Sequence, residues 1–165
     1  MIYQKNLLIS ILLIFNLSAC QNFKPVYKDN IATVYKLQNI TIISNKNKIS
    51  KKIRKQLLNT FPTNKNTQYI LKIEAFSNNA GIVSDLTRKI SRYKIKTIAE
   101  VKLYRRLEKK DKKVFSFIEE KEAAYNLVSD NVRSTLASRN KAENTTVRLV
   151  SESIYNRLIM YLSNK

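Results

Sequence analysis

Apolar and polar residues recur along this chain with two different periods, and the switches between them mark its elements. From Arg92 to Arg106 the period is two. Tyr93, Ile95, Thr97, Ala99, Val101 and Leu103 fall on one side, and Arg92, Lys94, Lys96, Glu100, Lys102 and Arg106 on the other, with Ile98 and Tyr104 as exceptions. Alternation of this length predicts a long, half-buried strand whose polar side faces water or a polar ligand. Gln68 to Phe76 repeats the pattern, setting Tyr69, Leu71, Ile73 and Ala75 against Gln68, Ile70, Lys72 and Glu74, and predicts a strand that gives way to a loop from Ser77 to Leu86 around the only glycine, Gly81. Val34 to Ile43, rich in β-branched residues, predicts a first strand. Val114 to Ala123 predicts a last one, joined through the charged turn Glu108 to Lys113, and Phe115-Ser116-Phe117-Ile118 leaves open which of its faces turns inward.

The period then changes. After the turn and cap residues Ser44 to Asn47, Ile49, Ile53 and Leu57 recur four apart with Leu58 beside them, opposite a basic side of Lys51, Lys52, Arg54 and Lys55. That spacing predicts a helix, which Pro62 ends because the residue before a proline is biased away from helical geometry. Beyond the polar connection Ser129-Asp130-Asn131, the residues Ala142, Val147, Val150, Ile154, Leu158, Tyr161 and Leu162 recur at helical steps over several turns. Strand, helix, three strands, helix predicts an α+β two-layer sandwich: a four-stranded mixed sheet with two helices packed on one face. No internal repeat or second domain interrupts it.

The head of the chain follows neither period. A short segment with Lys5 as its only charge leads into the apolar block Leu7 to Phe15, then Leu17-Ser18-Ala19-Cys20. Charge, apolar block and small residues in that order form a secretory signal peptide. The block is short and interrupted for a membrane span of about 20 apolar residues. The final four residues resemble a bacterial lipobox, which implies cleavage before Cys20 and lipidation of its thiol. The expected organisation is a signal peptide over residues 1–19, a lipidated tether over 20–33 and one periplasm-facing domain over 34–165. In lipoproteins generally an aspartate after the cysteine marks inner-membrane retention; Gln21 stands there, which points to the outer membrane.

Composition narrows the chemistry. The formal charge is +19, and loss of residues 1–19 removes only Lys5, leaving +18. Such a charge favours anionic partners: nucleic acid, acidic headgroups or phosphorylated glycolipid. Export argues against nucleic acid, and a chain rich in Lys, Asn and Ile draws part of its charge from composition alone. Cys20 is the only cysteine, so no intrachain disulfide can form. There is no histidine, which excludes a Ser-His-Asp triad and histidine metal sites, and a single glycine excludes phosphate-binding glycine loops. Glu119, Glu120 and Glu122 lie close in sequence but read as alternating charges at the end of an exposed strand, not as a catalytic pair. No enzymatic activity, cofactor or metal is expected.

Several features then coincide. The lipobox is followed by Phe23-Lys24-Pro25-Val26-Tyr27. Ala123-Ala124-Tyr125-Asn126-Leu127 precedes the last helix, and Ala137-Ser138-Arg139 and Ala142-Glu143-Asn144 lead into its amphipathic run. With the element order, these make the chain resemble the lipopolysaccharide-assembly lipoprotein LptE family across the whole mature length. It departs from the family pattern at Gln21, Asn22 and Val26, and at Asn144-Thr145. The resemblance implies a lipoprotein of the cell outer membrane, facing the periplasm on its lipid anchor. Such a protein plugs the LptD β-barrel, helps it assemble, and assists delivery of lipopolysaccharide to the cell surface. Charge alternation, and no matched family residue, makes Arg92, Lys94, Lys96 and Lys102, with the adjoining Arg88 and Lys89, the candidate lipopolysaccharide-binding surface. The competing readings are an outer-membrane lipoprotein that binds envelope glycans or lipids without an LptD partner, a lipid-anchored envelope enzyme, and a cytosolic nucleic-acid binder.

Overall fold

The computed structural model describes residues 36–61, 67–83, 90–108, 110–128 and 131–164, all within the unit Ile31–Lys165. The segments expected to be signal peptide and tether, Cys20 included, and Arg88 and Lys89 lie outside the described residues. Six elements follow in order: β1 (Ile40–Ser44), α1 (Lys48–Thr60), β2 (Tyr69–Val83), β3 (Ile90–Arg105), β4 (Lys112–Asn126) and α2 (Val132–Ser163). The sheet order is β1-β2-β3-β4. β1 runs parallel to β2 and the other pairs are antiparallel, so the sheet is mixed. A parallel pair needs a crossover between its strands, and α1 supplies it.

Both helices cover one face of this sheet. Leu71, Ile73 and Ala75 of β2 and Ala99, Val101 and Leu103 of β3 share one buried cluster with Ile49, Ile53 and Leu57 of α1 and Val147, Val150, Ile154, Leu158 and Leu162 of α2. The predicted periods therefore mark the faces that meet. Asn47 caps α1, its side chain accepting from the Ile49 N–H at 2.9 Å. Asn131 caps α2 by accepting from Ser134 N–H. One polar thread crosses the layers: the fully buried hydroxyl of Thr97 lies 2.7 Å from that of Thr146, which donates to the Glu143 carbonyl at 2.8 Å. Ser77 meets Thr97 at 2.7 Å from the other side. An inward-facing threonine is thereby satisfied without interrupting the core.

Strands β1, β2 and β4 differ in extent from expectation. β1 starts at Ile40, not Val34, because residues 36–38 form a helical turn that buries Leu37. The carbonyl of Asn39 then accepts from both Gln68 and Tyr69, fixing where pairing with β2 begins. β2 continues past Phe76 to Val83, through the segment expected to be a loop, because β3 pairs with it from Tyr69↔Arg105 as far as Val83↔Ile90. Cross-strand pairing outweighs the low strand preference of Asn78, Asn79 and Gly81. β4 runs from Lys112 to Asn126, longer at both ends than expected. Its register, with Phe117 opposite Val101 and Ile118 opposite Glu100, turns Phe115 and Phe117 toward the helices and leaves Ile118 exposed. Phe115 stacks on Tyr161 of α2 with ring centroids 4.3 Å apart.

Candidate functional site

The pleat of β3 sends Lys94, Lys96 and Lys102 to the face away from the helices, as their alternation predicts, whereas Arg92, at the end of the pairing with β4, reaches a cavity that α2 also lines. The four therefore have different surroundings. Lys94 pairs with Glu122 at 3.0 Å, Lys96 with Glu120, and Lys102 with Glu100 at 2.7 Å. The hydrogen bond to Glu120, with added attraction from the Glu120 and Glu122 carboxylates, holds the Lys96 ammonium above the ordinary lysine range. Lys102 is raised in the same way, first by its hydrogen bond to Glu100. The three pairs form a ladder of locally balanced charge. Phe76 and Ile98, opposite each other in register, and the exposed Ile118 interrupt the ladder with apolar surface.

Arg92 is different. It is exposed, no carboxylate pairs with it among the described residues, and it lies at a cavity of about 500 Å³ where α2 passes the end of β4. Lys141 of α2 lines the same cavity, as do the hydroxyl residues Ser138 and Thr145, while Ala123, Tyr125 and Ala142 provide apolar wall. Among the described residues no acidic one lines it. Two unneutralised cations beside hydroxyl groups and apolar surface suit an anion carrying apolar substituents. Sequence reasoning identified Arg92 but not Lys141, which lies on another element; the two meet only because α2 crosses the sheet at that end. The Ala123 to Asn126 segment, quoted above for its resemblance, lines the cavity wall.

The three glutamates of β4 part company. Glu120 and Glu122 pair with lysines on the open face, whereas Glu119 faces α2 and is 4% exposed, so reading it as part of an exposed strand end is corrected. It shares the parity of Phe115 and Phe117, both turned toward the helices. One of its oxygens faces Nε of Arg157 and the other accepts from the Ser153 hydroxyl at 2.9 Å. Arg157 also lies over the Phe117 ring, 5.3 Å from its centroid. A buried carboxylate with a charged partner and a hydroxyl donor ties α2 to β4.

Among the described residues no cluster of three or more acidic, cysteine or histidine side chains could hold a metal, and no helix is long and apolar enough to cross a membrane. No family model matches the sequence, and no curated protein matches it. Solved structures do share its fold. A candidate lipoprotein from Caulobacter crescentus superposes with a TM-score of 0.66 at 14% identity, covering 80% of this chain and 96% of that one. Rare lipoprotein B from Shewanella oneidensis gives 0.57 at 12% identity over 76% of this chain and 96% of that one. A lipoprotein B from Nitrosomonas europaea, described as uncharacterized, gives 0.60 at 10% identity over 77% and 85% respectively. At these identities the likeness is one of fold.

Proposed function

We propose that this chain is an outer-membrane lipoprotein, anchored through Cys20, that partners and plugs an LptD-like β-barrel, assists its assembly, and helps deliver lipopolysaccharide to the outer leaflet. The observation that carries the reading is a lipobox ending at Cys20 on a chain whose domain has a fold found in structures named as lipoproteins, rare lipoprotein B among them. The role is one of binding and assembly, with no bond made or broken. Two features of the domain support it. The lysines of the open face already hold carboxylate partners, so that face costs less to bury against a polar lumen than free ammonium groups would. The Arg92–Lys141 cavity offers to phosphate groups two cations that have no carboxylate partner among the described residues, beside apolar wall for what the phosphates are attached to.

The ligand half of the proposal has a direct test. Each charge-assisted hydrogen bond is worth about 1.5–3 kcal/mol. The double variant Arg92→Ala/Lys141→Ala is therefore expected to weaken lipopolysaccharide binding by about tenfold or more. Removing one complete ladder pair, Lys96→Gln with Glu120→Gln, is expected to change it by less than about threefold, because that ammonium is already engaged. Titration of purified lipopolysaccharide against the three proteins reads both effects. Unchanged affinity in the double variant would contradict the assignment of this cavity. An independent envelope lipoprotein could use the same cavity, and recovery of a barrel partner separates the two readings.

A further inference from the structure

The outer edge of β2 is only partly covered. β1 pairs with it from Tyr69 to Ile73, and Asn45 N–H extends the seal by donating to the Ile73 carbonyl. At Ala75 a side chain replaces the missing strand. Ser50 Oγ of α1 accepts from Ala75 N–H at 2.8 Å and donates to its carbonyl at 3.2 Å. Beyond that point the outward backbone groups alternate onto Ser77, Asn79 and Gly81, while Asn78 and Ala80 continue the ladder to β3. Among the described residues nothing pairs with those outward groups.

Free edges in soluble folds are normally blunted by charge, bulges or covering elements. The outer edge of β4 shows all three: the run Glu119 to Glu122, a register irregularity opposite Leu103/Tyr104, and the Tyr161 hydroxyl of α2 donating to the Val114 carbonyl. The free part of β2 is the reverse. Residues 76–83 read Phe-Ser-Asn-Asn-Ala-Gly-Ile-Val, with no charge in a chain that is 26% charged. A recess of about 280 Å³ adjoins it on the helix side. Asn79 and the stacked rings of Tyr93 and Tyr125 contribute to its wall, as do the exposed apolar side chains Val132 and Leu136 of α2.

Beside this edge Glu143 of α2 is already engaged by Lys52, and three cations are left without a carboxylate partner among the described residues. Lys48 and Lys51 stand on either side of Ser50 in α1, both exposed, and Arg139 lines the recess. A second copy of so basic a chain is a poor match for this surface. We propose that residues 77–81 of β2 accept an extended, acidic segment of a partner protein as an added strand. Main-chain hydrogen bonds to Ser77, Asn79 and Gly81 hold the segment, apolar side chains enter the recess, and carboxylates meet Lys48, Lys51 and Arg139. This inference goes beyond the barrel reading and stands without it.

A capped synthetic peptide, Thr-Val-Thr-Glu-Thr-Val-Thr-Glu, which puts its valines and glutamates on one face, serves as the probe against the full chain in mild detergent. The expected results are saturable binding and amide exchange slowed at least tenfold at Ser77, Asn79 and Gly81. The same peptide with lysine for glutamate is expected to bind at least tenfold more weakly. Asn79→Pro removes an outward N–H that β3 does not use, so it should abolish binding. Asn79→Ala, which also loses the side-chain bond to the Tyr125 hydroxyl, should retain it. The exchange measurement on the unsubstituted chain stands even if the proline variant does not fold. Unchanged exchange at saturating peptide would overturn the proposal. So would equal binding by a folded Asn79→Pro protein, or protection without peptide accompanied by a dimer mass.

Discussion

Replacing Ile154 with aspartate is expected to abolish cooperative folding. Ile154 is fully buried on α2, within the cluster that joins both helices to β2 and β3. Deleting the apolar side chain alone costs about 2–5 kcal/mol. The new carboxylate would be buried there with no cation designed to meet it, which adds at least a further 2 kcal/mol or so, whether it stays charged or takes up a proton. The sum is comparable with the whole stability of a domain this size, about 5–15 kcal/mol. Thermal unfolding followed by circular dichroism should show no sigmoidal transition. Met160→Asp, on the exposed side of the same helix, should melt within about 0.5 kcal/mol of the parent. A normal melt for Ile154→Asp would place the core elsewhere.

The second large effect is an asymmetry. Arg157 and Glu119 form one ion pair, but the arginine side chain is 46% exposed and the glutamate 4%. Removing the arginine leaves a buried carboxylate with only the Ser153 hydroxyl, and it uncovers the Phe117 ring. Arg157→Ala should therefore cost about 3 kcal/mol. Glu119→Gln keeps the shape and frees an arginine that water can reach, so it should cost about 1 kcal/mol. The double variant should be more stable than Arg157→Ala alone, since no unpaired charge remains buried. Denaturant midpoints at fixed slope measure all three. Equal costs for the two single variants would show that Glu119 is solvated and not held in the interface.

What could be read from the sequence was whatever a short window contains. The stripes through Ile53, Val101 and Ile154 repeat with the period of their own element, so the buried faces, and with them the two-layer arrangement, follow from local pattern. The lipobox-like run Leu17 to Cys20 is likewise a local pattern, and it lies outside the described residues. What escaped was set by partners distant in the chain. Residues 77–83 have the composition of a loop and are strand because β3 pairs with them. Val34 to Asn39 carried part of a strand signal, yet a turn at residues 36–38 buries Leu37 and delays β1. Glu119 faces inward by the parity of Phe117, but the sequence alone left the inward face of β4 undecided. Lys141 joins Arg92 only through the crossing of α2, so no spacing rule could have paired them.

The barrel partner proposed for this chain should travel with it through purification. A C-terminally tagged full chain would be purified from outer membranes in mild detergent and its companions weighed by mass spectrometry. A large β-barrel protein is expected in near-equal amount, together with a tagged chain that begins at Cys20 and carries acyl mass. An acylated chain recovered alone, with no barrel, would contradict the plug and leave an independent envelope lipoprotein in its place.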